Sequence, residues 1–319
     1  MPSAGRVRKH LCCDDQKERK LKTTSLGKTG LKVSRLGAGL GEIGSLPDAS
    51  IAGQLLNLAL DRGINFLDTA ACYGNSEEWI GRTISHRRSE YILATKAGHV
   101  AGELQGEEWT APLIVNSIEQ SLRRMKTDYL DLVQLHSCEM DVLEKGQVTQ
   151  ALLEAKQAGK IRYIGYSGDG EAALWAIESG QFDTLQVTFN LIHQEASLEV
   201  IPKAEAYHMG IITKHPIANA VWGAPISPGS VPNWNQRRAQ AMLDMGPIPG
   251  MPDNPILLAL GFILAQAEVD TAIVGTSNLE HMRSNIELVE NELPISEEVV
   301  RELHSRFEQL NECRNPSPP

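Results

Sequence analysis

Gly63-Ile64-Asn65-Phe66-Leu67-Asp68-Thr69-Ala70-Ala71-Cys72-Tyr73-Gly74-Asn75-Ser76-Glu77-Glu78 reads as a buried strand that breaks off into small and polar residues. Ile64, Phe66 and Leu67 are its apolar content. Ser76, followed by Glu77 and Glu78, has the composition that caps a helix from Trp79 onward. Asp68 therefore falls at the carboxyl end of a strand and Tyr73 in the loop beyond it. In parallel α/β proteins that end of the strands gathers the reactive groups. Taken alone the stretch has a plain structural rival: an Asp that caps a turn and a Tyr that packs on a neighbour.

Outward from this stretch, strand and helix alternate. Strands are expected at Arg35–Leu40, Ile64–Asp68, Tyr91–Lys96, Leu130–His136, Ile161–Tyr166, Thr184–Thr188, Ile211–Lys214 and Thr271–Val274. Amphipathic helices are expected at about 51–62, 77–86, 112–125, 146–158, 170–179, 195–208 and 255–267, with two more at 278–290 and 296–310. Eight apolar strands, each followed by a helix, fit a parallel sheet covered by helices. An open doubly wound sheet would carry a G-x-G-x-x-G turn after its first strand; Gly37-Ala38-Gly39-Leu40-Gly41 lacks that spacing. The expected fold is a (β/α)8 barrel, preceded by a β-hairpin over Thr23–Val33 that turns at Lys28-Thr29-Gly30. Long loops follow strand three (Gly98–Pro112) and strand seven (His215–Pro255), and loops of that length are usually lids or binding loops. Residues 1–22 and 312–319 read as flexible tails around a domain at 23–311.

Composition narrows the function classes. A net charge of −10 and a pI near 5.4 argue against a nucleic-acid surface or a polybasic membrane patch. No apolar run approaches the ~18 residues that span a bilayer, and no signal-peptide core opens the chain. The cysteines, Cys12, Cys13, Cys72, Cys138 and Cys313, are odd in number and show no metal-ligand spacing. They read as reduced thiols in a cytoplasmic protein without a metal site, whose partner is a small molecule. Cys72 and Cys138 approach the expected mouth of the barrel, with burial and inertness as the plain alternative.

Strand three ends Thr95-Lys96 and strand four ends Leu135-His136. A lysine closing an apolar strand is costly unless it is paired or stands at the mouth of a site. Asp68, Lys96 and His136 thus reach one face, with Tyr73 just beyond, and four titratable groups meeting there favour function over packing.

The motifs Gly63…Asp68-Thr69-Ala70…Tyr73-Gly74-Asn75-Ser76-Glu77, Ala94-Thr95-Lys96, Ser121-Leu122-Arg123-Arg124…Asp131-Leu132…His136 and Gly159-Lys160-Ile161-Arg162-Tyr163-Ile164-Gly165-Tyr166-Ser167 resemble the aldo-keto reductase family. The likeness runs from about residue 22 to residue 291. It implies a barrel that reduces an aldehyde or ketone with a nicotinamide cofactor, with NADPH expected and NADH the other candidate. Tyr73 would be the proton donor, Lys96 would lower its pKa, Asp68 would keep Lys96 charged, and His136 would orient the substrate oxygen. The resemblance assigns Ser167 and Gln186 to the nicotinamide carboxamide, with Gly168 where an asparagine is common and Asn190 fitting a downstream pattern. Lys214 stands where the family usually stacks an aromatic ring, and Pro216 and Ala218 of that segment are also expected to bind the cofactor. Gly275, Thr276 and Ser277 would receive the adenosine 2′-phosphate at a helix start, His281 and Arg283 would lend charge, and Asn285 would meet adenine.

Other expectations are less specific. Where many members of the resembled family carry a bulky residue this chain has Gly41, which would leave the pocket wider on that side, and Trp109, Trp222 and Trp234 could line it. A second reading keeps the barrel and cofactor but makes the protein a redox-sensing subunit of a larger assembly, with little turnover. A third is a barrel lyase or isomerase that needs no nicotinamide.

Overall fold

The computed structural model describes residues 21–225 and 231–312. Eight parallel strands close into a barrel: β3 (Leu36–Gly39), β4 (Phe66–Asp68), β5 (Ile92–Ala97), β6 (Leu130–His136), β7 (Ile161–Ser167), β8 (Thr184–Thr188), β9 (Gly210–Lys214) and β10 (Thr271–Gly275). β10 pairs with β3 to complete the circle. An antiparallel pair, β1 (Thr23–Ser25) and β2 (Lys32–Ser34), precedes it. The fold is thus the expected (β/α)8 barrel with an N-terminal hairpin.

The hairpin closes the barrel floor. Leu26, Leu31 and Val33 pack with Phe66, Ile92, Ala94, Leu132, Ile212 and Ile273 in one buried cluster. The Tyr163 hydroxyl donates to the Thr29 carbonyl, and the Gly27 N–H donates to Asp270. A second, larger cluster fills the layer between strands and helices, with Leu67, Leu93, Val133 and Leu185 among its residues. Successive residues of one strand therefore face different cores, as a period of two requires. Removing a side chain such as Phe66 would cost about 3–5 kcal/mol.

The helices in chain order are α1 (Ala49–Asp61), α2 (Ser76–Thr83), α3 (Ala111–Met125), α4 (Met140–Lys145), α5 (Gln147–Gln157), α6 (Gly170–Glu178), α7 (Val200–Ala206), α8 (Trp234–Leu243), α9 (Pro255–Leu264), α10 (Leu279–Asn291) and α11 (Glu297–Glu312). Asp48 caps α1 through the Ser50 and Ile51 N–H groups, and Asn254 with Pro255 starts α9. Four details correct the sequence reading. α2 begins at Ser76 itself, and Ser76 with Glu77 turns inward instead of capping. The Ser76 hydroxyl accepts from Thr69, while buried Glu77 accepts from Thr95, Ser121 and Arg124. The helix expected at 195–208 is a 3-10 turn, Glu195–Ser197, followed by the short α7. The loop after β9 holds α8, started by a capping box between Asn233 and Gln236.

Leu21 and Lys22, assigned to the tail, belong to the packed unit. Leu21 is buried, and the Lys22 carbonyl accepts from the Arg35 N–H. The rest of both tails, with Cys12, Cys13 and Cys313, lies outside the described residues. Among the described residues no helix is long and apolar enough to cross a membrane.

Candidate active site

Barrel register sets the heights of the site residues. Gly39 pairs with Asp68, Asp68 with Ala94, Lys96 with Gln134, His136 with Ser167, Ser167 with Gln186, and Thr188 with Lys214. Two residues below them on the same strands lie the floor residues Phe66, Ala94 and Ile212. Each strand therefore changes from apolar to polar in one step of its period, and the polar ends converge above a dry floor.

At the centre, Lys96 Nζ donates to Asp68 Oδ2 at 2.5 Å and to the Thr69 carbonyl at 2.9 Å. Asp68 Oδ1 accepts from Gln134 Nε2 at 3.0 Å and from Gln186 Nε2 at 2.8 Å. Both ions are buried, so each depends on the other and on these amides to offset its desolvation. Lys96 Nζ also lies 4.9 Å from the centre of the Tyr73 ring.

The phenol of Tyr73 departs from expectation. Its pKa is raised, first by burial, then by the neighbouring acidic groups Asp68, Cys72 and Glu42. Any pull from Lys96 is outweighed, because its charge is matched by Asp68 at hydrogen-bond distance and Asp68 repels a phenolate directly. Tyr73 rests as a neutral phenol. Its loop is held from behind by the turn Glu42–Ser45: the Asn75 N–H donates to the Gly44 carbonyl, and a Cβ on Gly44 would stand 1.9 Å from the Tyr73 carbonyl oxygen.

His136 meets Tyr73 edge to face, with ring centres 5.6 Å apart. Burial, then the positive charges of Lys96, His99 and Lys214, push its imidazole down to about 3, so the ring is neutral in ordinary buffers. Its Nδ1 lies 3.4 Å from Cys72 Sγ. His99 hydrogen-bonds the His136 carbonyl through Nε2 and Glu108 through Nδ1, and stacks edge-on against Trp109.

A cavity of roughly 520 Å³ is lined by Asp68, Tyr73 and His136 together with Ser167, Gln186, Lys214, Pro216 and Gly275. Depressions of about 730 and 1050 Å³ lie elsewhere, but neither contains this group of titratable residues. Ser167 Oγ donates to Gln186 Oε1 at 3.1 Å, leaving lone pairs on the serine and one N–H on the glutamine to meet an amide. That donor and acceptor set fits a carboxamide. Asn190 does not add to it, since its side chain is committed to the His215 carbonyl and the Ile192 and His193 N–H groups. Lys214 is not freely solvated: it pairs with Asp169 at 3.4 Å. Ala218 lines the neighbouring 730 Å³ cavity instead, although Ile217 and Asn219 on either side line the first.

The helix-start residues stand apart from this cavity. Thr276, Ser277 and His281 lie at the surface where β10 gives way to α10, and Asn285 is buried on that helix. The N–H groups expected to be free there are partly taken, because the Asn278 side chain accepts from Glu280 and His281. Arg283 faces Glu280 at 3.8 Å. None of Trp109, Trp222 and Trp234 lines the cavity; Trp222 is buried and Trp234 packs on His193. Cys138 is buried, and burial pushes its thiol up to about 12.

Sequence reasoning missed Gln134, whose amide steadies Asp68, and the Glu77–Arg124 pair, which ties α2 to α3 while Arg124 also donates to the Ala71 carbonyl. The signal for Gln134 was present: an amide two residues before His136 in an apolar strand shares its face.

The model of the Aldo/keto reductase family matches residues 35–306. The chain is 27% identical over 317 residues to the L-galactose dehydrogenase of Arabidopsis thaliana, covering 93% of this chain and 98% of that one. It is 26% identical over 302 residues to an NADH-specific methylglyoxal reductase of Escherichia coli, covering 83% and 93%. An aldo-keto reductase from Bacillus halodurans in its holo form superposes with a TM-score of 0.78 at 25% identity, over 90% of this chain and 96% of that one. Barrel, site geometry and these likenesses agree, and the chain belongs to the aldo/keto reductase family of NAD(P)H-dependent oxidoreductases.

Proposed function

We propose that the protein reduces an aldehyde or ketone to an alcohol with NADPH, and that Tyr73 gives the proton. The observation carrying this reading is the meeting of Tyr73 and His136, edge to face, above the buried Lys96–Asp68 pair in one cavity. Bound NADPH would supply a hydride to the carbonyl carbon. The carbonyl oxygen then holds an excess electron pair and takes the phenolic proton of Tyr73. An alkoxide is a stronger base than a phenolate, so a neutral resting phenol suits the donor role. The nearby Lys96 ammonium favours the phenolate as it forms, and solvent restores the proton. His136, uncharged, donates one hydrogen bond to the same oxygen and fixes its position. Ser167 and Gln186 would hold the cofactor's carboxamide.

NADPH is preferred over NADH in this reading because His281, Arg283 and the hydroxyls of Thr276 and Ser277 surround the start of α10. The grip is modest, since Arg283 faces Glu280 and the helix cap uses two amides. The relative named as NADH-specific shows that the family includes the other preference. Reduced thiols and nicotinamide chemistry support a cytoplasmic location. The redox-sensing alternative has no observation of its own in its favour. The test is a panel of aldehydes, ketones and hydroxylated carbonyls with NADPH and NADH, followed at the cofactor's absorbance. Absence of turnover on every carbonyl with both cofactors would refute the reading.

A further inference from the structure

Of the two described cysteines, only Cys72 has its sulfur against a proposed site residue. Its Sγ lies 3.4 Å from His136 Nδ1, within hydrogen-bond reach for sulfur. His136 Nε2 makes no hydrogen bond among the described residues. The neutral ring has one proton to share between these two nitrogens, and its location decides what the ring can do.

A carbonyl oxygen only accepts hydrogen bonds. His136 can orient one through Nε2 only if Nε2 carries the proton; the other tautomer would set a nitrogen lone pair against an oxygen lone pair. At Nδ1 the needs are reversed. A thiol is a weak donor and a weak acceptor, and Nδ1 without a proton is a good acceptor. Cys72 is exposed along one edge, yet desolvation on the side of the site pushes its thiol up against the pull of Lys96, so it keeps its hydrogen.

Building on the reductase reading, we propose that Cys72 is a positioning residue: its thiol donates to Nδ1 of His136 and confines the ring proton to Nε2, where a substrate oxygen accepts it. Two further groups act on the same ring. His99 holds the His136 carbonyl, which fixes the backbone and leaves both ring nitrogens untouched. Tyr73 meets the ring edge to face, which sets its plane but not its tautomer. Cys72 alone among these contacts addresses a ring nitrogen.

The experiment labels the full chain with ¹⁵N-histidine and reads the His136 ring nitrogens by long-range nitrogen–proton correlation. The His136→Gln variant identifies the signals by their loss. Wild type is expected to show Nε2–H with Nδ1 unprotonated. Cys72→Ala removes the donor and should show both tautomers in exchange, while Cys72→Ser replaces it with a hydroxyl donor and should restore Nε2–H. In turnover, Cys72→Ala should lower kcat by about tenfold with KM within about twofold, and Cys72→Ser should recover most of the loss, because a wrong tautomer removes orientation and not binding. An Nδ1–H ring in wild type, or an unchanged single Nε2–H tautomer in Cys72→Ala, would overturn the proposal. The spectroscopic arm needs no turnover, so it stays decisive even if the reductase reading fails.

Discussion

At one end of the cleft Asp68, Lys96 and His136 sit on strands, and the barrel register fixes their heights. Apart from that cavity, Thr276, Ser277 and His281 sit on a loop and the first turn of α10, where Asn278 and Glu280 already engage part of the binding equipment. At the first end the Lys96–Asp68 pair is held by several buried partners, the Thr69 carbonyl and the amides of Gln134 and Gln186. The second is exposed, and its internal hydrogen bonds compete with any ligand. Chemistry that needs sub-ångström placement falls where the sheet dictates position; recognition of a charged group tolerates a looser mount.

The contrast breaks most sharply at Tyr73. Tyr73→Phe should lower kcat by at least about 10³-fold, the scale of a lost general acid, while NADPH affinity measured by fluorescence titration stays within about twofold. Wild-type turnover in that variant would remove Tyr73 from the mechanism. Lys96→Met leaves Asp68 buried and unpaired, and should cost about 3–5 kcal/mol in denaturant unfolding. Adding Asp68→Asn should recover much of that stability and none of the activity.

Acid should act on the same end. His136 is held down to about 3 in the folded protein, so between that value and the free imidazole's value of about 6.5 the unfolded chain binds the extra proton. Its contribution is complete above about 6.5 and is lost as pH falls toward 3, with a slope of up to about 1.4 kcal/mol per pH unit. His136→Gln should flatten the stability–pH curve by that amount; parallel curves would show that the ring is not desolvated. Gly44→Ala drives a methyl into the Tyr73 carbonyl and should reduce kcat about tenfold by shifting the phenol, with cofactor affinity kept. At the looser end, His281→Ala should reduce the NADPH-over-NADH affinity ratio only about two- to fivefold, as befits an exposed charge. A larger drop would mean the phosphate end is better organised than its geometry suggests.

The strand order and the convergence of Asp68, Lys96 and His136 were legible because period-two patterning and strand ends are local features of the chain. The pairing partners of those residues were not. Gln134 and Gln186 reach Asp68 from strands 66 and 118 residues further along, and only barrel closure brings them there. Burial explains the misread phenol: sequence shows that Lys96 and Tyr73 are both present, but not that Asp68 spends the lysine's charge first. Glu77 looked like a helix-capping glutamate because Ser-Glu-Glu is what a helix start looks like. Its actual partners, Thr95 and Ser121, lie on other elements. α4, six residues long, lacked the length over which periodicity becomes visible, and α8 is mostly polar, with Arg238, Ala239 and Met242 as its buried residues, so its apolar stripe is faint.

The hairpin that seals the barrel floor has a consequence for traffic. Leu26, Leu31 and Val33 pack under the strands in one buried cluster, so a ligand of the central cavity would arrive and depart by the mouth. With a single doorway, two molecules bound one above the other cannot exchange independently: the deeper one enters first and leaves last. Turnover would then run in a compulsory order.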